Sequence, residues 1–288
     1  GIWQEGPVCL GHRRLSIIDL SGGSQPMQDV DGELCIVFNG EIYNYQTLRE
    51  ELIAAGHTFT TKSDTEVLLH GYEQWGVDLL QRVRGMFTFV IWDKNKQELF
   101  GARDHFGIKP FYYAKMNGTF MYASEIKSLL RHPDFVKELN AEALKPYMTF
   151  QYPAIGETFF KGVYKLPEGH YFTYRDGKMD IHRYYDEDFR EGKQKLGELV
   201  NSIDQTVCDS VKAHQIADVE VGSFLSSGVD SSYVAAVARP QHTYSIGFGK
   251  GTYNESQQAG ELAELLKLNN TAESLTDEEA FAAFPRIQ

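Results

Sequence analysis

The sequence predicts an α+β sandwich of antiparallel sheets over residues 1–186, followed by an α/β stretch with a parallel sheet over residues 187–288. Three observations predict it. The 288 residues, 42% of them apolar, are more than one core usually organises, so two domains are expected. The first stretch is a series of short β-branched and aromatic runs. The last hundred residues or so instead alternate between helix-like and strand-like segments.

In chain order, ELCIVFNG, FTFVIWD, ELFGARD, FYYAKM and TFMYASE read as strands separated by turn signals. Asn117-Gly118 and Asp176-Gly177 fall between such runs, as tight hairpin turns do. Two helices interrupt the series. YQTLREELIAA places Leu48, Leu52 and Ile53 on one face and ends at Gly56. SDTEVLLHGYEQWG starts with Ser63 and Glu66 at capping-box spacing and ends at Gly76. Strands with a few helices on one chain predict stacked antiparallel sheets flanked by helices. The charged, aperiodic segment RYYDEDFREGKQK, residues 183–195, reads as the linker. Beyond it Leu199, Ile203, Val207 and Val211 recur with helical period. Strand VGSFL, helix SSYVAAVA and strand HTYSIGF follow, and Thr276 with Glu279 predicts a capped helix near the end.

Composition narrows the function. A net charge of −12 argues against a nucleic-acid backbone or an anionic membrane as main partner. No apolar run approaches the roughly 20 residues needed to span a bilayer. The opening GIWQEGP lacks the basic-then-apolar pattern of a secretory leader. Cys9, Cys35 and Cys208 are widely separated, without metal-ligand spacing, and read as reduced, buried thiols of a cytoplasmic protein.

Residues 220–234 read EVGSFLSSGVDSSYV. A strand–turn–helix unit here directs the N–H groups of Ser226, Ser227 and Gly228 into one concavity, and the following helix adds its positive end. Such a nest binds phosphate without a lysine. Gly228 is free to take positive φ. Asp230 beside phosphate implies a divalent cation between them, and Mg²⁺ suits carboxylate plus phosphate oxygens. The expectation is a Mg-nucleotide site; the plainer alternative is that Asp230 or Ser231 caps a helix. The lysine-bearing GxxxxGK[ST] loop is not present.

FLSSGVDSS resembles the SGGxDS pyrophosphate loop of ATP pyrophosphatases, with Ser227 where that family usually has its second glycine. GHRRLSIIDLSGGSQPM, VFNGEIYNY, SDTEV, RGMFTFVIWD, ARDHFGIKPFYY and FFKGVYKLPEGHYFTY resemble the glutamine-hydrolysing asparagine synthetase family. The resemblance implies an N-terminal-nucleophile glutaminase domain, an αββα sandwich, followed by part of an adenine-nucleotide α-hydrolase-like ATP-pyrophosphatase domain. It gives Arg14 the glutamine α-carboxylate, which suits a planar guanidinium, and Asp64 the α-ammonium. Asn39 and Gly40 become the oxyanion hole, where one donor is typically worth about 3 kcal/mol, and Glu41 helps hold the amine. Without the resemblance, Asn39-Gly40-Glu41 reads as a hairpin turn and Asp64 as a helix cap. The resemblance leaves His105 without a proton-transfer role. Leu225 and Ile246 match positions that flank adenine, and both also read as strand core.

The family nucleophile is a cysteine at the mature N-terminus, whose own α-amine acts as base. Ordinary pKa values of about 8 and 8.5 make that transfer nearly balanced. The resemblance implies a cysteine immediately before Gly1, since Cys9 and Cys35 lie in strand-like runs. Two explanations for the opening Gly1-Ile2-Trp3 compete: a sequence incomplete at both ends of the family pattern, or a glutaminase that has lost its cysteine, as in related β-lactam-forming cyclases. Retention of Arg14, Asn39, Gly40, Glu41 and Asp64 together favours the first. The implied activity is that of a ligase. Glutamine yields ammonia, ATP with Mg²⁺ adenylates aspartate, and ammonia converts the adenylate to asparagine. The alternatives are another acceptor on the same scaffold and a fold relative without activity. The implied partners are glutamine, aspartate and ATP, with a homodimer as the assembly the resemblance allows.

Overall fold

In the computed structural model, which describes residues 1–248 and 255–287, the strand-rich stretch forms one unit, Gly1–Arg190, and the alternating stretch another, Glu191–Gln288. In the first unit, β1 (Ile2–Glu5) and β2 (Val8–Gly11) make a hairpin. There follow β3 (Met27–Gln28), β4 (Leu34–Ile42), α1 (Tyr45–Ala54), α2 (Asp64–Trp75) and a 3₁₀ turn (Gly76–Gln81). Next come β5 (Gly85–Asp93), β6 (Glu98–Arg103), β7 (Tyr112–Met116), β8 (Thr119–Ala123) and α3 (Ile126–Leu129). The unit closes with α4 (Ala141–Phe150), β9 (Val163–Lys165), β10 (His170–Arg175) and β11 (Lys178–Arg183).

Six strands form one antiparallel sheet in the order β11-β10-β6-β5-β4-β3, and three form another, β8-β7-β9. Period-two alternation decides the packing, because alternate residues of a strand face opposite ways. Cys35, Val37, Val90, Trp92 and Phe172 of the large sheet meet Tyr113, Phe120 and Tyr122 of the small one. On the large sheet's other face lie the helices, with Tyr72 of α2 stacked on Phe100 of β6 at 5.1 Å. On the small sheet's other face, Leu129 of α3 packs with Met116, Met121 and Val163. The expected order helix, sheet, sheet, helix is what forms.

Both predicted hairpin turns are present. Asn117-Gly118 joins β7 to β8 and Asp176-Gly177 joins β10 to β11, each with positive φ at both residues. Ser63 caps α2 by accepting from Thr65 N–H at 3.2 Å. Glu66 departs from the expected capping box. Its carboxylate instead accepts from the N–H and hydroxyl groups of Thr60 and Thr61, at 2.6–2.9 Å. On α1, Leu48 and Leu52 are buried but Ile53 is 51% exposed, so the apolar face is narrower than expected. Of the cysteines only Cys35 is buried; Cys9 is exposed and Cys208 intermediate.

The turn after β6 is organised by two buried side chains. The Asp104 carboxylate accepts N–H bonds from Phe87, Phe106, Ile108 and Lys109 at 2.9–3.2 Å. The Arg103 guanidinium donates to the carbonyls of Lys109, Leu166 and Gly107 at 2.5–2.7 Å. Gly107 takes φ +63, and a Cβ there would lie 2.8 Å from the guanidinium. The Tyr184 hydroxyl donates to Arg103 O at 2.7 Å. Tyr184 and Tyr185 also donate their N–H groups to Gly169 O. The expected linker therefore begins only after residues that are fastened to the first unit.

The second unit contains α5 (Leu196–Ala213), β12 (Ser223–Phe224), α6 (Val229–Ala238), β13 (His242–Phe248), α7 (Ser256–Leu266), β14 (Asn269–Leu275) and α8 (Asp277–Ile287). The strands are parallel in the order β12-β13-β14, as helix–strand alternation predicts. The VGSFL strand contracts to two residues. Leu225 packs with Ala235 of α6 and Ala259 and Ala263 of α7. On α5, Val211 is buried, while Leu199 and Ile203 are exposed. Thr276 and Glu279 form a complete capping box before α8.

Replacing Asp104 by alanine leaves four N–H groups in and beside a buried turn without their acceptor. Such losses cost about 1–3 kcal/mol per group when water cannot reach them. Urea unfolding of Asp104→Ala is expected to show a midpoint lowered by a destabilisation of about 3 kcal/mol or more with unchanged slope. Asp104→Asn, which keeps one acceptor oxygen, is expected to fall between the two.

Candidate active site

A cleft of about 630 Å³ opens in the first unit. Arg14, Asn39, Gly40, Glu41 and Asp64, drawn from three separate stretches of sequence, all line it. Asn39-Gly40-Glu41 is strand rather than turn: these residues continue β4 and pair with Thr88, Phe87 and Met86 of β5. The reason is the close approach of the two backbones. A Cβ on Gly40 would lie 2.1 Å from Met86 O, so only glycine fits. The Asn39 side chain turns to Ser124 Oγ at 3.2 Å.

Asp64 is the first residue of α2 and does not cap it, since Ser63 does. It is 4% exposed, and its Oδ2 accepts the Ile42 N–H at 3.1 Å, which ties the helix start to the end of β4. Burial raises the Asp64 carboxyl to about 6; Glu41 acts in the same direction, whereas the Ile42 N–H and Arg14 oppose it. Glu41 itself is 9% exposed. Arg14 is held by its own loop: Nη1 donates to Asp19 O at 2.9 Å and to Ser16 Oγ at 3.2 Å, and Nη2 donates to Ile18 O. Asp19 in turn accepts from Gly22 N–H and Lys62 N–H, both at 2.8 Å. The cleft thus sets the loop-held guanidinium of Arg14 and the buried carboxyl groups of Glu41 and Asp64 around a strand edge, with Arg13 and Lys109 also on its lining. That distribution suits a small zwitterion carrying a further polar group.

Several further lining residues carry no site signal of their own in the sequence. Gln25 is buried and mimics a strand edge, donating to Phe38 O at 3.0 Å and accepting Phe38 N–H at 2.6 Å. Thr65, Thr88, Ser124 and Lys109 also line the cleft. Gly1 lies at its margin, exchanging backbone bonds with His12 at 2.6 and 3.0 Å. His105 packs edge-on against Tyr184 and Tyr185 at 5.4 and 4.3 Å and does not line the cleft.

The predicted nucleotide residues gather at the junction of β12 and α6 in the second unit. Ser226, Ser227, Gly228 and Asp230 are exposed there, and Ser231 is half-buried. Gly228 is the N-cap of α6 with φ −68, so the positive φ open to it is not used, because a cap residue needs extended backbone. Ser231 does not cap the helix. Its hydroxyl accepts from Ser226 N–H at 3.3 Å and lies 2.8 Å from Ser226 Oγ, so it knits the loop closed. Asp230 lies in the first turn of this ten-residue helix, beside the N–H groups that any helix start presents. An oxyanion with a hard divalent cation fits that donor set. Leu225 follows β12 and its N–H donates to Tyr244 O at 2.8 Å, two residues before Ile246 on β13; Leu225 is 3% exposed in the core and Ile246 52% exposed.

Compared with known proteins, residues 1–185 match the glutamine amidotransferase domain family and residues 202–288 match the asparagine synthase family. Asparagine synthetase [glutamine-hydrolyzing] 1 of Bacillus subtilis is 42% identical over all of this chain and 46% of its own length. A putative asparagine synthetase [glutamine-hydrolyzing] of Mycobacterium bovis is 38% identical over all of this chain and 47% of its own. Amidase chry2 of Gibberella zeae is 37% identical over 80% of this chain and 34% of its own. The chain spans about half the length of the two synthetases.

The raised Asp64 value predicts a pH effect on stability. Between the ordinary carboxyl value of 3.8 and about 6, folded Asp64 holds a proton that the unfolded chain has released. Stability therefore falls as pH rises through that window, by on the order of 3 kcal/mol from this group. Asp64→Asn is expected to flatten that part of the stability–pH curve measured by urea unfolding.

Proposed function

Because the chain belongs to the glutamine amidotransferase domain family, we propose that it works within a glutamine-dependent asparagine synthase, a ligase. Residues 1–186 are the glutaminase domain and residues 187–288 the first part of the ATP-pyrophosphatase domain. The observation that carries this reading is the grouping of Arg14, Glu41 and Asp64 about the Asn39-Gly40 backbone in one cleft.

In this reading Arg14 takes the glutamine α-carboxylate, exchanging loop carbonyls for two ligand oxygens. Asp64 and Glu41 take the α-ammonium. The nucleophile is a cysteine immediately before Gly1. Extending the β1–β2 register, in which Ile2 faces Gly11, sets that position opposite Arg13, which lines the cleft. Its α-amine accepts the thiol proton as sulfur attacks the amide carbon. Asn39 Nδ2 and the Gly40 N–H hold the oxyanion, ammonia leaves, and water releases glutamate from the thioester. In the second unit an aspartate β-carboxylate attacks the α-phosphate of ATP and expels pyrophosphate. Ammonia then attacks the acyl carbon and AMP leaves. The loop Ser226, Ser227, Gly228 with Ser231 and the start of α6 cradles the phosphates. Asp230 would hold Mg²⁺, which neutralises pyrophosphate charge when bound. Adenine contact falls to the backbone beside Leu225 and to Ile246.

Three cysteines without disulfides support a cytoplasmic setting. The net charge of −12 favours small-molecule partners over nucleic acid. Among the described residues no helix is long and apolar enough to cross a membrane. A homodimer, testable by light scattering, completes the reading. A second reading, the same scaffold acting on an acceptor other than aspartate, draws support from the likeness to Amidase chry2.

Calorimetry on the chain should show glutamine binding that weakens about tenfold to a hundredfold in Arg14→Ala, as loss of charge-assisted bonds predicts. Pyrophosphate exchange into ATP by the full-length enzyme should require aspartate. Exchange indifferent to aspartate would move the assignment to the second reading. No glutamine binding together with no exchange would remove both.

A further inference from the structure

On the opposite side of α2 from Asp64's strand contacts, the loop after α1 meets the middle of the helix. Among the described residues, His57, His70 and Glu73 bring one ligand atom each to within 4.8 Å of one another. His57 Nδ1 lies 3.4 Å from Glu73 Oε2, and His70 Nδ1 lies 3.2 Å from the same oxygen. For bonds of about 2.0–2.1 Å, the edge of a tetrahedral coordination shell is about 3.3 Å. Both distances match that edge.

His57 Nε2 donates to Gln74 Oε1 at 2.9 Å; His70 Nδ1 is within hydrogen-bond reach of Glu73 Oε2, whereas His70 Nε2 stands 3.8 Å from Glu66 Oε1, too far for a hydrogen bond. The Gln74 partner fixes the tautomer of His57 and orients its ring, as outer-shell groups do for metal-binding imidazoles. For His57 the consequence is specific. With its proton on Nε2, the Nδ1 lone pair points at the Glu73 carboxylate, so two acceptors oppose each other unless a cation lies between them. Glu66 is not one of the donors, because Thr60 and Thr61 already occupy both of its oxygens. The His57 and His70 side chains are 12% and 7% exposed, whereas Glu73 is 48% exposed and leaves an entry path.

We propose that His57, His70 and Glu73 form a binding site for a divalent transition metal of the zinc class, with a fourth position open to water. Two imidazoles and one carboxylate are a donor set that such ions prefer over Mg²⁺ or Ca²⁺. The ion would staple the loop after α1 to α2. His57 N–H already bonds Leu52 O at 3.0 Å, so the staple would tie the end of one helix to the centre of the next.

The test uses the chain stripped with chelator and titrated with ZnCl₂ or CoCl₂ at neutral pH. The expected result is one saturable site per chain, with Co²⁺ giving tetrahedral d–d absorption free of thiolate charge-transfer bands. His57→Ala and Glu73→Gln should each weaken binding about tenfold or more. The metal-free unfolding midpoint of Glu73→Gln, at the exposed position, should stay close to that of the unsubstituted chain. A midpoint that climbs with Zn²⁺ concentration in the unsubstituted chain but not in Glu73→Gln supports the staple. No saturable binding would overturn the proposal. So would affinity that survives His57→Ala but disappears in a Cys9→Ser, Cys208→Ser chain. A His57 ring found doubly protonated at neutral pH and undisturbed by Zn²⁺ would show that a proton, not a metal, bridges it to Glu73.

Discussion

The constraint on which the first unit depends is the pinch between β4 and β5. At Gly40 and at Gly85 a Cβ would lie 2.1 Å from a carbonyl oxygen of the facing strand. The two backbones are therefore closer there than any side chain permits. That pinch turns Asn39 and Glu41 toward one cleft and lets Ile42 end the strand on the Asp64 carboxylate. Behind it, Asp104 grips Phe87, the residue that faces Gly40. The knot of Arg103 and Asp104 thus supports the cleft without entering it. His105, between these residues and Tyr185, belongs to that buttress.

Much of the architecture was readable where the signal was local. β-branched and aromatic runs gave strands, and Asn-Gly and Asp-Gly gave hairpins because both residues tolerate positive φ. Thr276 and Glu279 gave a capped helix because both partners of the box lie within one turn. Local reading failed where distant groups outcompeted it. Asn39-Gly40-Glu41 has turn composition, yet tertiary pairing draws it into a strand. Glu66 has the right spacing for a capping box, yet four donors on Thr60 and Thr61 offer it more than one cap N–H does. Gly228 can take positive φ, yet its place at a helix start requires extended backbone.

The cleft divides along the same line. Arg14, Asn39, Gly40, Glu41 and Asp64 came through resemblance of whole strings, and they share one cavity. Gln25 sits inside one of those strings with no role attached to it, and Ser124 at the end of a strand-like run; only the folded sheet sets Gln25 beside Phe38 and Ser124 beside Asn39. In the second unit Leu225 takes up the strand-core place the sequence also allowed it. Its family position suggested a ligand contact, but its side chain fills the small core among alanines of α6 and α7. A short strand under two helices has few large residues available, and this leucine is one of them.

The burial of Asp64 has an energetic consequence for whatever enters the cleft. Near pH 6 a vacant cleft is shared between a charged and an uncharged carboxyl. An arriving ammonium group favours the charged form and expels the hydrogen ion, so one cation is traded for another. The heat of association would then include the ionisation heat of the buffer. Acidification would act as a competitor of the ligand's amine end while leaving the Arg14 end untouched.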